Sequence, residues 1–200
     1  MDNVEVFRRA LLNEDVNYVY RKYLLGHDVW YFREKLKLEN FAHRYDDFKI
    51  LMSQKLDVHI NNIAIVGSAK LGFSITPTDE KMFRRFSEDS DIDIVVVSRE
   101  IFRNSWAAFL DIHSKKHLAG HATIAKNIFR HFVSLKQVDA TNDFFRTWTG
   151  KMEPCQKELQ IVYSIPNEIN YRIYESWEDV ERYHIKGLER LKKMIQERQE

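Results

Sequence analysis

Two aspartates and a glycine-serine pair are the residues of this chain whose types and spacing suit a chemical reaction. Gly67-Ser68 follows the apolar run Ile63–Val66, and Asp91 and Asp93 alternate with isoleucines in a second apolar run. Side chains alternate between the two faces of a strand, so both aspartates are expected on one face. Adjacent carboxylates beside a glycine turn with open backbone N–H groups suit a divalent cation that carries a nucleoside triphosphate.

The acid-bearing run is expected to be a central strand, because it continues as Val95-Val96-Val97. Ionised carboxylates in a buried strand are unfavourable unless a metal or a cation neutralises them. Residues 90–97 contain no Lys or Arg. The pattern therefore favours a metal site over the alternative, a purely structural strand that happens to carry two acids.

An apolar strand, then Gly67-Ser68, then the acid-x-acid strand resembles the signature of the DNA polymerase β-like nucleotidyltransferase superfamily. The resemblance covers residues 63–97. It implies an α+β fold with a small mixed sheet and transfer of a nucleoside monophosphate from a nucleoside triphosphate to an acceptor hydroxyl. It also implies that Asp91 and Asp93 hold Mg²⁺ or Mn²⁺ and that Gly67 and Ser68 contact the phosphates.

The spacing between the two motifs departs from that signature. Asp91 lies 24 positions after Gly67 (91 − 67), more than is usual in the superfamily. The extra stretch is residues 75–89, whose Thr76-Pro77-Thr78 start predicts a loop. A looser resemblance to stand-alone prokaryotic nucleotidyltransferase-domain proteins suggests a toxin–antitoxin or antiphage context.

Supporting residues are less clearly marked. Lys70 is a candidate phosphate counter-charge, with an ordinary surface lysine as the alternative, and Ser90 is a candidate for capping or orienting the acid strand. The superfamily also uses a third carboxylate on a later strand. Glu158 has the best position, and Asp139 and Glu175 are weaker candidates. If none serves, the chain is an inactive nucleotide-binding or protein-interaction module of the same fold.

The charge balance bears on the acceptor. The 200 residues include 31 Lys and Arg against 30 Asp and Glu, a net charge of +1. A protein that tracks long nucleic acid usually carries a basic excess. We therefore expect a protein or small-molecule acceptor, including a second nucleotide, rather than long nucleic acid. A tRNA end remains an alternative, because a small patch could hold it. Residues 113–136 are locally basic, with Lys126, Arg130 and Lys136 among them, which favours a solvated helix face over the alternative of a groove for RNA phosphates.

Other features point to a cytoplasmic protein without a membrane segment. The single cysteine, Cys155, cannot form a disulfide within the chain. The first residues lack a signal-peptide pattern, and no apolar run approaches the length of a membrane span. His113, His117 and His121 recur every four residues, but Gly120 interrupts them, which favours a structural role over zinc binding.

Apolar periodicity predicts one domain over residues 1–200. Its parts are an N-terminal helical extension (1–58), a core (59–175) and a C-terminal helix (176–200). Helices are predicted at 4–25 in two pieces, at 28–36 and 39–56, around the apolar faces of 106–113 and 124–132, and after the capping box at Ser176. A turn is predicted at 148–150, and strands at 62–66, 90–97, 159–164 and 169–174, the last two as a hairpin.

Overall fold

A four-stranded mixed sheet forms the centre of the molecule. It is described by a computed structural model that covers residues 2–198. The strands are β1 (Ile63–Val66), β2 (Ile92–Val97), β3 (Phe132–Leu135) and β4 (Ile169–Tyr174), in the spatial order β1-β2-β4-β3. β2 runs antiparallel to β1 and parallel to β4, and β3 is antiparallel to β4. The predicted α+β class with a small mixed sheet is confirmed.

Helices surround this sheet. They are α1 (Asn3–Asn13), α2 (Val16–Val19), α3 (Phe41–Leu56), α4 (Gly67–Leu71), α5 (Arg99–Lys115), α6 (His121–Ile128), α7 (Asp143–Tyr163) and α8 (Trp177–Glu197). Two π-helical turns, Tyr20–Leu24 and Tyr31–Lys35, and the 3₁₀ turn Ile60–Asn62 complete the described elements. Among residues 2–198, no helix has both the length and the apolar character to cross a membrane.

The two faces of the sheet have different surroundings. The face with Ile65, Ile94 and Ile173 is buried in the main core, to which α3, α5 and α7 contribute. The opposite face is covered at one end by α8, where Val180 packs with Tyr174. The rest of that face carries polar side chains and lines a cleft. This asymmetry places the acids of β2 on the open side of the sheet.

The N-terminal helices are packed against the C-terminal helix. Phe7 and Leu11 of α1 share a buried cluster with Leu188 and Leu191 of α8. Phe73, two residues before the 75–89 loop, belongs to the same cluster. This cluster anchors the base of the loop, which the sequence predicted and which contains no helix or strand.

The predicted strand at 159–164 is wrong, and so is the turn at 148–150, because α7 runs through both segments. Cys155, Leu159 and Tyr163 recur every four residues and are all buried, which stabilises the helix through its core-facing stripe. Ile161 and Val162 gave the segment its strand-like composition. They are 82% and 51% exposed, so they lie on the solvent side of the helix.

The strand β3 was missed, because residues 124–132 have apolar spacing typical of a helix. α6 ends at Ile128, and His131 adopts a left-handed backbone conformation with φ of 58°. The chain therefore turns and pairs with the free edge of β4, with Phe132 opposite Tyr174. Long-range pairing decides this segment over its local periodicity.

Candidate functional site

A cleft of about 710 Å³ opens on the polar face of the sheet. Its floor is made by the ends of β1, β2 and β4, and includes Asp91 and Asp93. Its walls come from the 75–89 loop, the end of α6 and one face of α8. Both aspartates thus lie on one face, as strand alternation requires, and the Gly67-Ser68 turn joins them in the same cleft.

Gly67 lies directly against Asp93. β1 ends at Val66, opposite Asp93 in the antiparallel pair, and the chain then turns into α4. Gly67 has a φ of +67°, and a Cβ atom there would lie 3.0 Å from Oδ2 of Asp93. A side chain would be strained by the backbone conformation and would press on the carboxylate. Glycine is therefore strongly favoured at this position.

Asp93 is held by two side chains of the neighbouring strand. Its Oδ1 accepts hydrogen bonds from Nδ2 of Asn170 at 2.7 Å and from Nε of Arg172 at 3.0 Å. Its Oδ2 accepts from Nη2 of Arg172 at 3.1 Å. Burial lowers the pKa of Arg172, but the Asp93 carboxylate and nearby tyrosine hydroxyls outweigh burial, so the pKa is raised overall. The guanidinium is a permanent cation beside Asp93.

Asp91 shares a cation with a glutamate that the sequence did not suggest. Nζ of Lys136, just after β3, lies 3.0 Å from Oδ1 of Asp91 and 2.7 Å from Oε2 of Glu168. The hydrogen bond to Glu168, and to a smaller extent the hydrogen bond to Asp91, raises the pKa of Lys136. Glu168 immediately precedes β4. The amide of Ile92 donates to the carbonyl of Glu168, which places Glu168 beside Asp91. Two carboxylates therefore converge on one positive charge at this end of the floor.

The two serines of the predicted site both line the cleft. Ser68 is half-buried in the first turn of α4. Ser90 shapes the turn before β2: its Oγ accepts from the amide of Ser87 at 3.0 Å, and its carbonyl accepts from Nδ2 of Asn167 at 2.9 Å. Ser90 thus belongs to the hydrogen-bonded turn that precedes β2, and its role in orienting the acid strand stays a prediction.

Lys70 and Glu158 lie away from the cleft. Lys70 is buried, donates to the carbonyl of Gly26, and lines a separate small pocket beside Trp177. Burial lowers the pKa of Lys70 to about 8. Lys70 is not among the residues that line the cleft with Gly67 and Ser68. The expectation that Lys70 faces the phosphates is therefore corrected.

Glu158 occupies a helix rather than a strand. It lies on α7 and forms an ion pair of 2.7 Å with Lys55 of α3. Both helices contribute to the core on the opposite face of the sheet from Asp93. Glu158 was predicted as the third carboxylate because it was expected to begin a strand. That strand is absent, since residues 143–163 form α7.

Comparisons with protein families, curated proteins and solved structures yield no match.

Sequence reasoning missed the polar residues in β4 and immediately before it. Glu168, Asn170 and Arg172 alternate with apolar residues, which is the same period-two signal that identified the acids of β2. That alternation could have marked a half-buried polar face. Their proximity to Asp91 and Asp93 depends on parallel pairing of β2 with β4, with Asp93 opposite Asn170.

The walls of the cleft are strongly basic. The lining contains eight Lys or Arg and three Asp residues. Lys81 and Arg84 come from the 75–89 loop, and Lys186 and Arg190 from α8. A concave surface with this excess of positive charge attracts anions. The near-neutral net charge of the whole chain conceals it.

No three His, Cys, Asp or Glu side chains within residues 2–198 are grouped closely enough to hold a metal by themselves. The repeated histidines are not part of such a group either. The rings of His113 and His121 stack with their centroids 4.4 Å apart.

Proposed function

We propose that this chain is a Mg²⁺-dependent nucleotidyltransferase of the DNA polymerase β-like type. It would move a nucleoside monophosphate from a nucleoside triphosphate to an acceptor hydroxyl. The observation that carries the proposal is the placement of Asp91 and Asp93 with Gly67-Ser68 on the floor of one basic cleft. A toxin–antitoxin or antiphage context remains part of the proposal.

The donor chemistry fits the metal. Mg²⁺ prefers oxygen ligands and is usually held by one or two carboxylates together with substrate phosphates. Asp91 and Asp93 offer such oxygens, and Glu168 lies beside Asp91 through their shared Lys136. Glu168 replaces Glu158 as the candidate third carboxylate, because it immediately precedes the strand next to β2. Bound there, Mg²⁺ would supply charge stabilisation for the leaving pyrophosphate and would activate the acceptor hydroxyl.

The protein's own residues would bind and orient the nucleotide. Gly67 allows the phosphates to approach the backbone, since a side chain there would meet Asp93. The hydroxyl of Ser68 is available to a phosphate oxygen in the cleft. Arg172 and Asn170 would hold Asp93 in a single orientation, so that little rearrangement precedes binding.

One observation favours a second candidate, an inactive nucleotide-binding or protein-interaction module. The residues on β4 that contact Asp93 are Asn170 and Arg172, an amide and a cation rather than a carboxylate. Such neighbours suit an acid that serves binding or structure. The two functions differ in one product, because only the transferase releases pyrophosphate.

Isothermal titration calorimetry with each nucleoside triphosphate and Mg²⁺ tests the shared part of both candidates. We expect binding that needs the metal and is lost in Asp91→Asn and in Asp93→Asn. Glu158→Gln is the matched control, because this carboxylate pairs with Lys55 on the far side of the sheet. Equal nucleotide affinity in Asp93→Asn and in wild type would reject the site.

A further inference from the structure

Most cations on the walls of the cleft have no carboxylate partner in the part of the chain that the structure describes. Six of them are exposed: Lys81, Arg84, Lys126, Arg130, Lys186 and Arg190. The carboxylates of the floor pair instead with Lys136 and Arg172, and these six form no ion pair within residues 2–198. Clustered cations repel one another, so a lining of this kind is unfavourable unless an anion occupies the cleft.

The cations are spread too widely for one triphosphate. Arg182, Lys186 and Arg190 recur every four residues and therefore form a stripe along α8. Eight residues of helix span about 12 Å, at roughly 1.5 Å per residue. One nucleic-acid strand in a duplex carries a phosphate about every 3.4 Å of axis, so the stripe is long enough for several phosphates in a row.

An exposed aromatic ring lies among these cations. Phe129 follows α6, lines the cleft beside Lys126 and Arg130, and is 92% exposed. An exposed phenylalanine loses the free energy that burial of its ring would provide. Aromatic rings beside a basic groove are the platforms on which unpaired bases stack.

The loop wall carries hydroxyl side chains that could distinguish ribose from deoxyribose. Ser74, Thr76 and Thr78 line the same cleft as the cations of α8. A hydroxyl can donate to and accept from a ribose 2′-hydroxyl, the group by which proteins distinguish RNA from DNA.

We propose that this cleft binds single-stranded RNA, with phosphates along the stripe of α8 and a base stacked on Phe129. The net charge of the chain favoured a protein or small-molecule acceptor. The concentration of positive charge in this cleft favours RNA instead. RNA as the acceptor rests on the proposed nucleotidyltransferase function, whereas RNA binding itself does not.

The test is fluorescence anisotropy with a labelled, mixed-sequence RNA of about 12 nucleotides, titrated over roughly 50 to 200 mM salt. We expect binding by the wild type that weakens as salt rises. In the double variant Lys186→Glu with Arg190→Glu, the logarithmic salt slope should fall by about 1.4, since each single-strand phosphate contact contributes roughly 0.7. The matched control is Lys151→Glu with Lys193→Glu, two exposed lysines outside the cleft, which should bind as wild type.

Phe129→Ala tests the stacked base independently of charge. We expect affinity for RNA to fall about tenfold, the scale of one base–aromatic stack. Ile161→Ala is its control, because Ile161 is a similarly exposed apolar side chain on α7. The milder double variant Lys186→Gln with Arg190→Gln, together with melting curves, separates lost binding from lost folding.

Four results would overturn the inference: no RNA binding by wild type, equal losses in the variants and their controls, equal affinity for single-stranded DNA, or displacement of RNA by nucleoside triphosphate. Nucleotide binding measured by calorimetry on the same preparation keeps the two proposals apart. A protein that binds Mg²⁺-nucleotide but not RNA would refute only this inference.

Discussion

Arg172 of β4 donates to both carboxylate oxygens of Asp93 on β2, at 3.0 Å from Nε and 3.1 Å from Nη2. With the third hydrogen bond, from Asn170, Oδ1 accepts two donors and Oδ2 accepts one. A carboxylate offers about two lone-pair sites on each oxygen. Within residues 2–198, Oδ2 therefore has one hydrogen-bond partner fewer than Oδ1, and it is the oxygen that lies nearest Gly67. Asp93 is an acid anchored mainly through Oδ1.

Replacing Arg172 with methionine should destabilise the fold. The change leaves Asp93 half-buried without its cation, and breaking such a pair costs about 2–3 kcal/mol. Urea unfolding measures the effect. Arg99→Met is the control, because Arg99 is exposed and pairs with Glu175 at the surface, where the loss should stay below about 1 kcal/mol. Equal stability of Arg172→Met and wild type would show that this pair does not support the sheet.

Gly67→Ala should lose nucleotide affinity in excess of its effect on folding. The backbone conformation alone costs an alanine about 1–2 kcal/mol of stability. Gly120→Ala is a close control, since Gly120 has a φ of +73° but a Cβ there would meet nothing within 4 Å. Both variants should melt earlier than wild type, and only Gly67→Ala should bind nucleotide poorly. Similar nucleotide affinity in the two variants would mean that the turn has only a structural role.

Lys136→Met should strengthen metal binding in the absence of nucleotide. The ammonium of Lys136 lies between Asp91 and Glu168, so a divalent cation must displace it. Removing it should tighten Mn²⁺ binding about fivefold, or ~1 kcal/mol, as judged by electron paramagnetic resonance. Lys116→Met, which removes the ion-pair partner of Asp139, should leave Mn²⁺ affinity unchanged. Weaker Mn²⁺ binding in Lys136→Met would mean that the lysine supports the site instead of competing for it.

The acid strand could be predicted from the sequence because strand alternation is local: Asp91 and Asp93 share a face whatever the rest of the chain does. The partners of these acids could not, since Arg172 reaches Asp93 only through the pairing of β2 with β4. Lys70 was misplaced because its orientation depends on how α4 packs. The basic walls were invisible in the net charge, because Lys81, Lys126 and Lys186 come from three distant segments.

Folding stability should fall in mild acid because of His184. Burial lowers the pKa of His184 to about 4, whereas an unfolded histidine titrates near 6.5. The unfolded state therefore binds a proton first as the pH falls, and the native state loses about 2 kcal/mol between pH 7 and pH 5. Urea titrations at the two pH values measure this loss.

His184→Asn is the matching variant, with an amide that can replace the contact of Nδ1 with the carbonyl of Val180. Its stability should depend less on pH in this range, whatever its absolute value. Carboxylates with lowered pKa values, such as Asp139, titrate at more acidic pH and are common to both proteins. The same loss between pH 7 and pH 5 in variant and wild type would exclude His184 as the cause.

Release of pyrophosphate tests the proposed chemistry most directly. The purified protein is incubated with the four nucleoside triphosphates, Mg²⁺ or Mn²⁺, and total RNA, and pyrophosphate is quantified. We predict release by wild type, a loss of about a hundredfold or more in Asp93→Asn, and unchanged release by Glu158→Gln, since Glu158 pairs with Lys55 behind the sheet. Pyrophosphate at background level with wild type, or equal amounts from wild type and Asp93→Asn, would contradict the assignment of nucleotidyl transfer to this cleft.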